Sequence, residues 1–106
     1  MLPPSAETFR HGGIPVSARE LDSLYAGFDG LADAAAVPVD DPVMGKRICA
    51  AIVPNPGLSI SFEDFRNYLL QRRVASFKFP DRLITVSEIP RRADGGIMRD
   101  KILEQL

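Results

Sequence analysis

Three consecutive stretches decide the fold of this chain: the run Asp33-Ala-Ala-Ala-Val-Pro-Val39, the turn Asp40-Asp41-Pro42-Val-Met-Gly45, and the run Lys46-Arg-Ile-Cys-Ala-Ala-Ile-Val53. Each run is short, apolar and bounded by turn residues, which is how a buried strand reads. The Asp-Asp-Pro triplet and the following glycine supply the reversal between them. Upstream, Ser17-Ala-Arg-Glu20 has the form of a helix capping box. Leu21, Leu24, Tyr25 and Phe28 then recur at helical spacing, predicting a helix over 18–28 that ends before Gly30. Before it, Gly12-Gly13 lies between two short β-prone pieces and reads as a hairpin over 8–16.

Downstream, Asn55-Pro56-Gly57 marks a turn, and Ser61 with Asp64 caps a second helix whose apolar face carries Phe62, Phe65, Tyr68 and Leu69. Residues 74–80 form a short link and Arg82 to Val86 a third strand. A loop from Pro90 to Gly96 follows, with brief pairing at Ile97-Met98. A last helix begins near Asp100 and turns Ile102, Leu103 and Leu106 inward. The expected fold class is therefore α+β: a small sheet of three main strands, two or three helices packed on it, and an N-terminal hairpin.

Composition narrows the function. At 106 residues, 45% hydrophobic and 25% charged, the chain has the makeup of one ordinary globular domain. No apolar run approaches the roughly 20 residues that span a bilayer, and Met-Leu-Pro-Pro-Ser lacks the basic start of a secretory signal. The expected location is cytoplasmic, with no membrane partner. A net charge of −1 gives no general pull toward nucleic acid. The charge is uneven, with 4 Lys/Arg against 7 Asp/Glu over 1–53 and 9 against 7 over 54–106. The C-terminal half is mildly cationic, and its basic residues would bind phosphate if they gathered on one face. The single cysteine, Cys49, sits among Ile48, Ala50, Ala51 and Ile52 and is expected to be a packed, unreactive thiol. One histidine, His11, excludes a His-rich metal site, and no metal is expected. Asp40-Asp41 reads as turn chemistry, and the serines have no evident partner base.

The most telling segment is Pro90-Arg-Arg-Ala-Asp-Gly-Gly-Ile-Met-Arg99. Locally, Asp94-Gly95-Gly96 is a turn. In sequence and spacing, however, it resembles the signature near the end of adenylate-forming ligases: proline, a basic or small residue, a polar spacer, then Gly-Lys-hydrophobic and a basic residue. Three further pieces, in the same order, resemble that family too. They are Gly12-Gly13 through Glu20, Asp33 through Arg47, and Lys78-Phe79-Pro80-Asp81-Arg82. Together they cover about 95 residues, and the nearest flavour is that of fatty-acid, alicyclic and aryl-acid CoA ligases.

The resemblance implies the small C-terminal lid domain of such a ligase, residues 8–106, preceded by a hinge-proximal tail over 1–7. In the family this lid rotates on a much larger N-terminal domain that binds ATP and the acid. One pose delivers a catalytic lysine for adenylation. In the other, the glycine pair lines the tunnel by which the pantetheine thiol of CoA or a carrier protein reaches the acyl-adenylate. Gly12 and Gly13 are the matching positions here, and Ala6 and Glu7 fall at the hinge. ATP or AMP and CoA are implied for a complete ligase, none of them held by this domain alone.

The departures fall on chemical positions. Gly96 takes the lysine's place, Pro3-Pro4 that of a Gly-Arg pair, Ala6 that of the hinge acid or lysine, and Ile14-Pro15 that of a Glu-Asn-like pair. Lys101 starts from the last helix, a different place, while Arg92 and Arg99 bracket the loop. The expectation is a lid inactive by itself and impaired for adenylation. The competing expectation is a free-standing, non-catalytic protein that docks on a ligase, a carrier protein or a CoA-like ligand.

Overall fold

The computed structural model describes residues 8–43 and 45–105. Strands β1 (Thr8–His11) and β2 (Ile14–Ser17) form an antiparallel hairpin closed by Gly12-Gly13. Helix α1 (Ala18–Ala26) leads into β3 (Leu31–Asp41) and β4 (Gly45–Pro54), a long antiparallel pair. Helix α2 (Phe62–Gln71), a 3-10 turn at Ser76–Lys78 and β5 (Arg82–Thr85) follow, and α3 (Arg99–Leu103) comes last. The central sheet runs β3-β4-β5, with β5 parallel to β4. The α+β class, the three-stranded sheet, the three helices and the N-terminal hairpin are as expected.

The alanine-rich strands pack on both faces because successive side chains point to opposite sides. Ala34, Ala36, Ile48, Ala50 and Ile52 meet Leu21, Tyr25, Phe65 and Leu69 from α1 and α2. Ala35, Val37, Cys49 and Ala51 meet Val86, Ile89, Ile97 and Ile102 on the other side. Two covered faces explain the lack of polar alternation in β3 and β4. Burying each large side chain such as Phe65 or Leu69 contributes about 1.5–3 kcal/mol. Loop 86–98 and α3 are thus anchored by Val86, Ile89, Ile97 and Ile102, which brings the glycine loop onto the sheet.

Local signals explain the helix ends. Ser17 accepts the Glu20 N–H at 3.3 Å, but the Glu20 carboxylate pairs with Lys78 instead of closing the box. Ser61 and Asp64 form the complete box at α2. Helix α1 stops at Gly27, earlier than expected, where the Tyr68 hydroxyl donates to Leu24 O at 2.7 Å. A Cβ on Gly27 would lie 2.6 Å from that hydroxyl, so the packing of α2 on α1 requires glycine there.

Two side chains expected inward are not. Phe62 is 38% and Leu103 40% exposed: Phe62 is the first residue of α2 and Leu103 the last of the five-residue α3, and only Phe65 and Leu69 of α2 and Ile102 of α3 are buried. Leu106 lies outside the described residues. None of the described helices is long and apolar enough to cross a membrane.

Candidate functional site

At the hairpin tip, Gly12 and Gly13 have φ of +62° and +84°, the pair of left-handed conformations that a two-residue hairpin turn demands. Both are exposed, and a Cβ on either would meet nothing within 4 Å. Their glycine identity therefore answers to backbone conformation, not to crowding within this domain. The hairpin is fastened to the sheet by His11, whose Nδ1 lies 2.6 Å from Phe77 O and Nε2 2.9 Å from Asp81 Oδ2. Both neighbours are acceptors, so both ring nitrogens donate only when the imidazole carries its second proton. The same Asp81 oxygen accepts the Ile48 N–H at 2.8 Å, tying hairpin, β4 and the start of β5 together.

The second glycine pair lies in the loop that leads to α3. Its neck is a single antiparallel bridge between Arg91 and Ile97. Arg92 N–H donates to Gly96 O at 2.7 Å and Gly95 N–H to Arg92 O at 2.9 Å, closing a tight turn. Gly95 has φ of +91° and Gly96 lies outside the left-handed region. Asp94 Oδ1 accepts the Gly96 N–H at 2.8 Å, and that bond chiefly holds the Asp94 carboxyl below its usual range.

Two arginines pin this loop from either end. Arg91 Nη2 donates to both oxygens of Asp33 at 2.7 and 2.9 Å, and its Nη1 to Gly95 O at 3.2 Å. Arg99 donates to both oxygens of Asp22, at 2.9 and 2.8 Å, and to Ala36 O at 2.8 Å. Asp22 Oδ1 also accepts the Ala36 N–H at 2.8 Å. The two-nitrogen fork of Arg99 on Asp22 fixes orientation as well as position, while Arg91 meets both Asp33 oxygens through Nη2 alone. The sequence offered no sign of these partners, because Asp22 and Arg99 are 77 residues apart. Among the basic residues of the C-terminal half, Lys78, Arg91 and Arg99 pair with Glu20, Asp33 and Asp22, and Arg92 stands 3.6 Å from Asp94 at the surface.

The glycine loop and the hairpin share a border. An open cleft of about 280 Å³ is lined by Thr8 and Phe9 from the hairpin base, Arg92 and Ile97 from the loop, and Pro38 and Arg99 beneath. The lining takes in the base of the hairpin and, among the described residues, neither Gly12 and Gly13 nor Gly95 and Gly96. Ala6 and Glu7 lie outside the described residues. Cys49 is buried, and desolvation pushes its thiol upward in pKa, as expected for a packed cysteine. Asp40 and Asp41 serve the turn: Asp41 Oδ1 accepts the Val43 N–H at 2.8 Å, and the pair bind Lys46 and Arg47.

This arrangement, a two-face-covered small sheet with a glycine hairpin and a pinned glycine loop, is that of the small domain of adenylate-forming enzymes. The fold superposes on that of MbtA from Mycobacterium smegmatis with a TM-score of 0.85 and 34% identity, covering 93% of this chain and 19% of that one. In sequence, residues 20–95 match the AMP-binding enzyme C-terminal domain, and the chain belongs to that family. A salicylyl-CoA synthase / salicylate adenylyltransferase from Streptomyces is 35% identical over 96 residues, 91% of this chain and 17% of the relative. The medium-chain fatty-acid–CoA ligase of Escherichia coli is 30% identical over 89 residues, 83% of this chain and 16% of the relative. The chain thus spans less than a fifth of the length of these ligases.

Proposed function

We propose that this chain is the lid of an acyl-CoA or aryl-acid ligase whose adenylation lysine is replaced by Gly96, so that it serves thioester formation better than adenylation. The observation that carries the reading is the loop itself: a tight, doubly pinned turn with the family's spacing from Pro90 to Arg99 and no side chain at 96. In adenylation, negative charge grows on the α-phosphate and the acyl oxygen. A cation held ready at that point lowers the barrier, and losing one such oriented donor costs about 100-fold to 1,000-fold in rate.

Residues 1–7, with Ala6 and Glu7, would be the hinge, and 8–106 the moving lid. Its partner would be a large N-terminal ligase domain in the cytoplasm, acting on a fatty, alicyclic or aromatic acid with ATP and CoA. Gly12 and Gly13 would line the pantetheine path, where a hairpin tip without side chains lets a narrow thiol arm pass close to backbone. Lid rotation of this kind completes a site and excludes water.

The test is a chimera in which the chain replaces the lid of an aryl-acid–CoA ligase. Thioester formation from supplied acyl-adenylate should proceed, while ATP–pyrophosphate exchange should fall far below that of the parent. Exchange at the parent's rate would refute the assignment of Gly96.

A further inference from the structure

We propose that the guanidinium of Arg92 is the cation this loop offers to the reacting phosphate in place of the missing lysine. The proposal rests on the reading of the chain as a ligase lid. Arg92 and Gly96 face each other across the neck of the loop, joined by the 2.7 Å bond from Arg92 N–H to Gly96 O. A side chain that begins at 92 therefore begins one cross-loop step from where a lysine at 96 would begin. The guanidinium lies over Gly96: Nη2 is 2.5 Å and Cζ 3.1 Å from the point a Cβ on residue 96 would occupy. A Cβ at 96 would make the guanidinium shift from this position.

The neighbouring cations are committed elsewhere. Arg91 is held by both oxygens of Asp33, and Arg99 by Asp22 and Ala36 O. Lys101 projects from α3, on the far side of Arg99 in sequence. Arg92 is 57% exposed, and its ion pair with Asp94, itself 73% exposed, is a solvent-facing contact of the kind worth little, which a phosphate can replace. Asp94 in turn directs the same oxygen to the Gly96 N–H at 2.8 Å. Arg92 also borders the cleft between loop and hairpin base.

The chemistry suits a guanidinium. In adenylation a carboxylate oxygen of the acid attacks the α-phosphorus of ATP, the bond from that phosphorus to the β-bridging oxygen breaks, and pyrophosphate leaves. The arginine gives and takes no proton, since it stays charged. It donates N–H bonds in a fork that matches two phosphate oxygens. A lid of this kind would then keep a residual adenylation that depends on Arg92.

The ligase chimera separates the outcomes through two half-reactions, pyrophosphate exchange and thioester formation from supplied acyl-adenylate. Arg92→Gln should lower the residual exchange by about 10-fold or more, Arg92→Lys by less, and each should leave the thioester step within about twofold. Gly96→Ala suits the local backbone but displaces the guanidinium, so it should lower exchange several-fold while Arg92 is still present. If thioester formation proceeds and the unsubstituted chimera shows no exchange, or neither Arg92→Gln nor Gly96→Ala alters it, the Arg92 assignment is overturned and the lid reading stands. If the unsubstituted chimera performs neither half-reaction while the parent lid at the same junction performs both, the lid reading falls and the Arg92 assignment with it.

Discussion

Replacing Asp22 by alanine should unfasten the C-terminal segment from the sheet, and the size of the effect follows from the hydrogen bonds that its carboxylate accepts. Asp22 takes two N–H bonds from Arg99 and one from Ala36, all between 2.8 and 2.9 Å. Both partners of the ion pair are largely covered, with side-chain exposures of 14% for Arg99 and 15% for Asp22. Removing one member of a buried pair costs about 3–5 kcal/mol, chiefly because the other charge stays buried without compensation. Arg99 keeps its bond to Ala36 O and retains some contact with water, so the expected loss is about 2–4 kcal/mol. Asp22→Asn, which keeps the shape and one acceptor, should lose about half as much. Urea unfolding of the 106-residue chain reads this directly. With a slope of about 2 kcal/mol per molar, the middle of the usual range for small proteins in urea, the midpoint should fall by about 1–2 M for Asp22→Ala. Amide exchange should also quicken selectively over 97–103, where Ile97 and Ile102 anchor the segment. A loss below about 0.5 kcal/mol, or uniform exchange across the chain, would show that Asp22 and Arg99 are an ordinary surface pair and that apolar anchoring alone holds the loop.

Gly96→Lys should raise adenylation in the chimera toward that of a lysine-bearing lid, and more so combined with Arg92→Ser, because its Cβ must first push the Arg92 guanidinium aside. Gly13→Ala should cost about 1–2 kcal/mol in the same urea assay, since residue 13 has φ of +84° and a methyl group there would touch nothing that compensates. Asp81→Ala should cost about 1–3 kcal/mol and loosen β1 and β2 in amide exchange, as it leaves the Ile48 N–H and His11 without their shared acceptor. Burial raises both Cys49 and Tyr25 above their ordinary values of 9.0 and 10.0. The folded state therefore holds protons that the unfolded chain releases, and stability is full below about pH 9 and declines above it. A flat urea midpoint from pH 8 to pH 10.5 would contradict that burial, as would rapid reaction of Cys49 with a thiol reagent in the folded chain.

Much of the fold was legible along the chain because its causes are local. The Asp-Asp-Pro turn, the two capping serines at 17 and 61, and the glycine pair at 12–13 each dictate backbone geometry within a few residues, and the observed elements obey them. The apolar runs 33–39 and 46–53 announced burial, and the order of motifs announced the family. Side-chain depth at helix ends was less legible: helical spacing assigns Phe62 and Leu103 to an apolar face, but whether that face meets the sheet depends on where the helix begins and stops.

The site divides the same way. Residue identity alone determined that position 96 has no side chain and that the hairpin tip is two glycines, since these are matters of covalent structure. Only the tertiary structure decided what surrounds the glycines. Folding pairs Asp22 with Arg99 and Asp33 with Arg91 across 77 and 58 residues, and lays Arg92 over Gly96 by closing a five-residue turn. Such partnerships depend on register between β3, α1 and the loop. Chain spacing carries no record of that register, because Coulomb and hydrogen-bond energies depend on distance in space and not along the backbone.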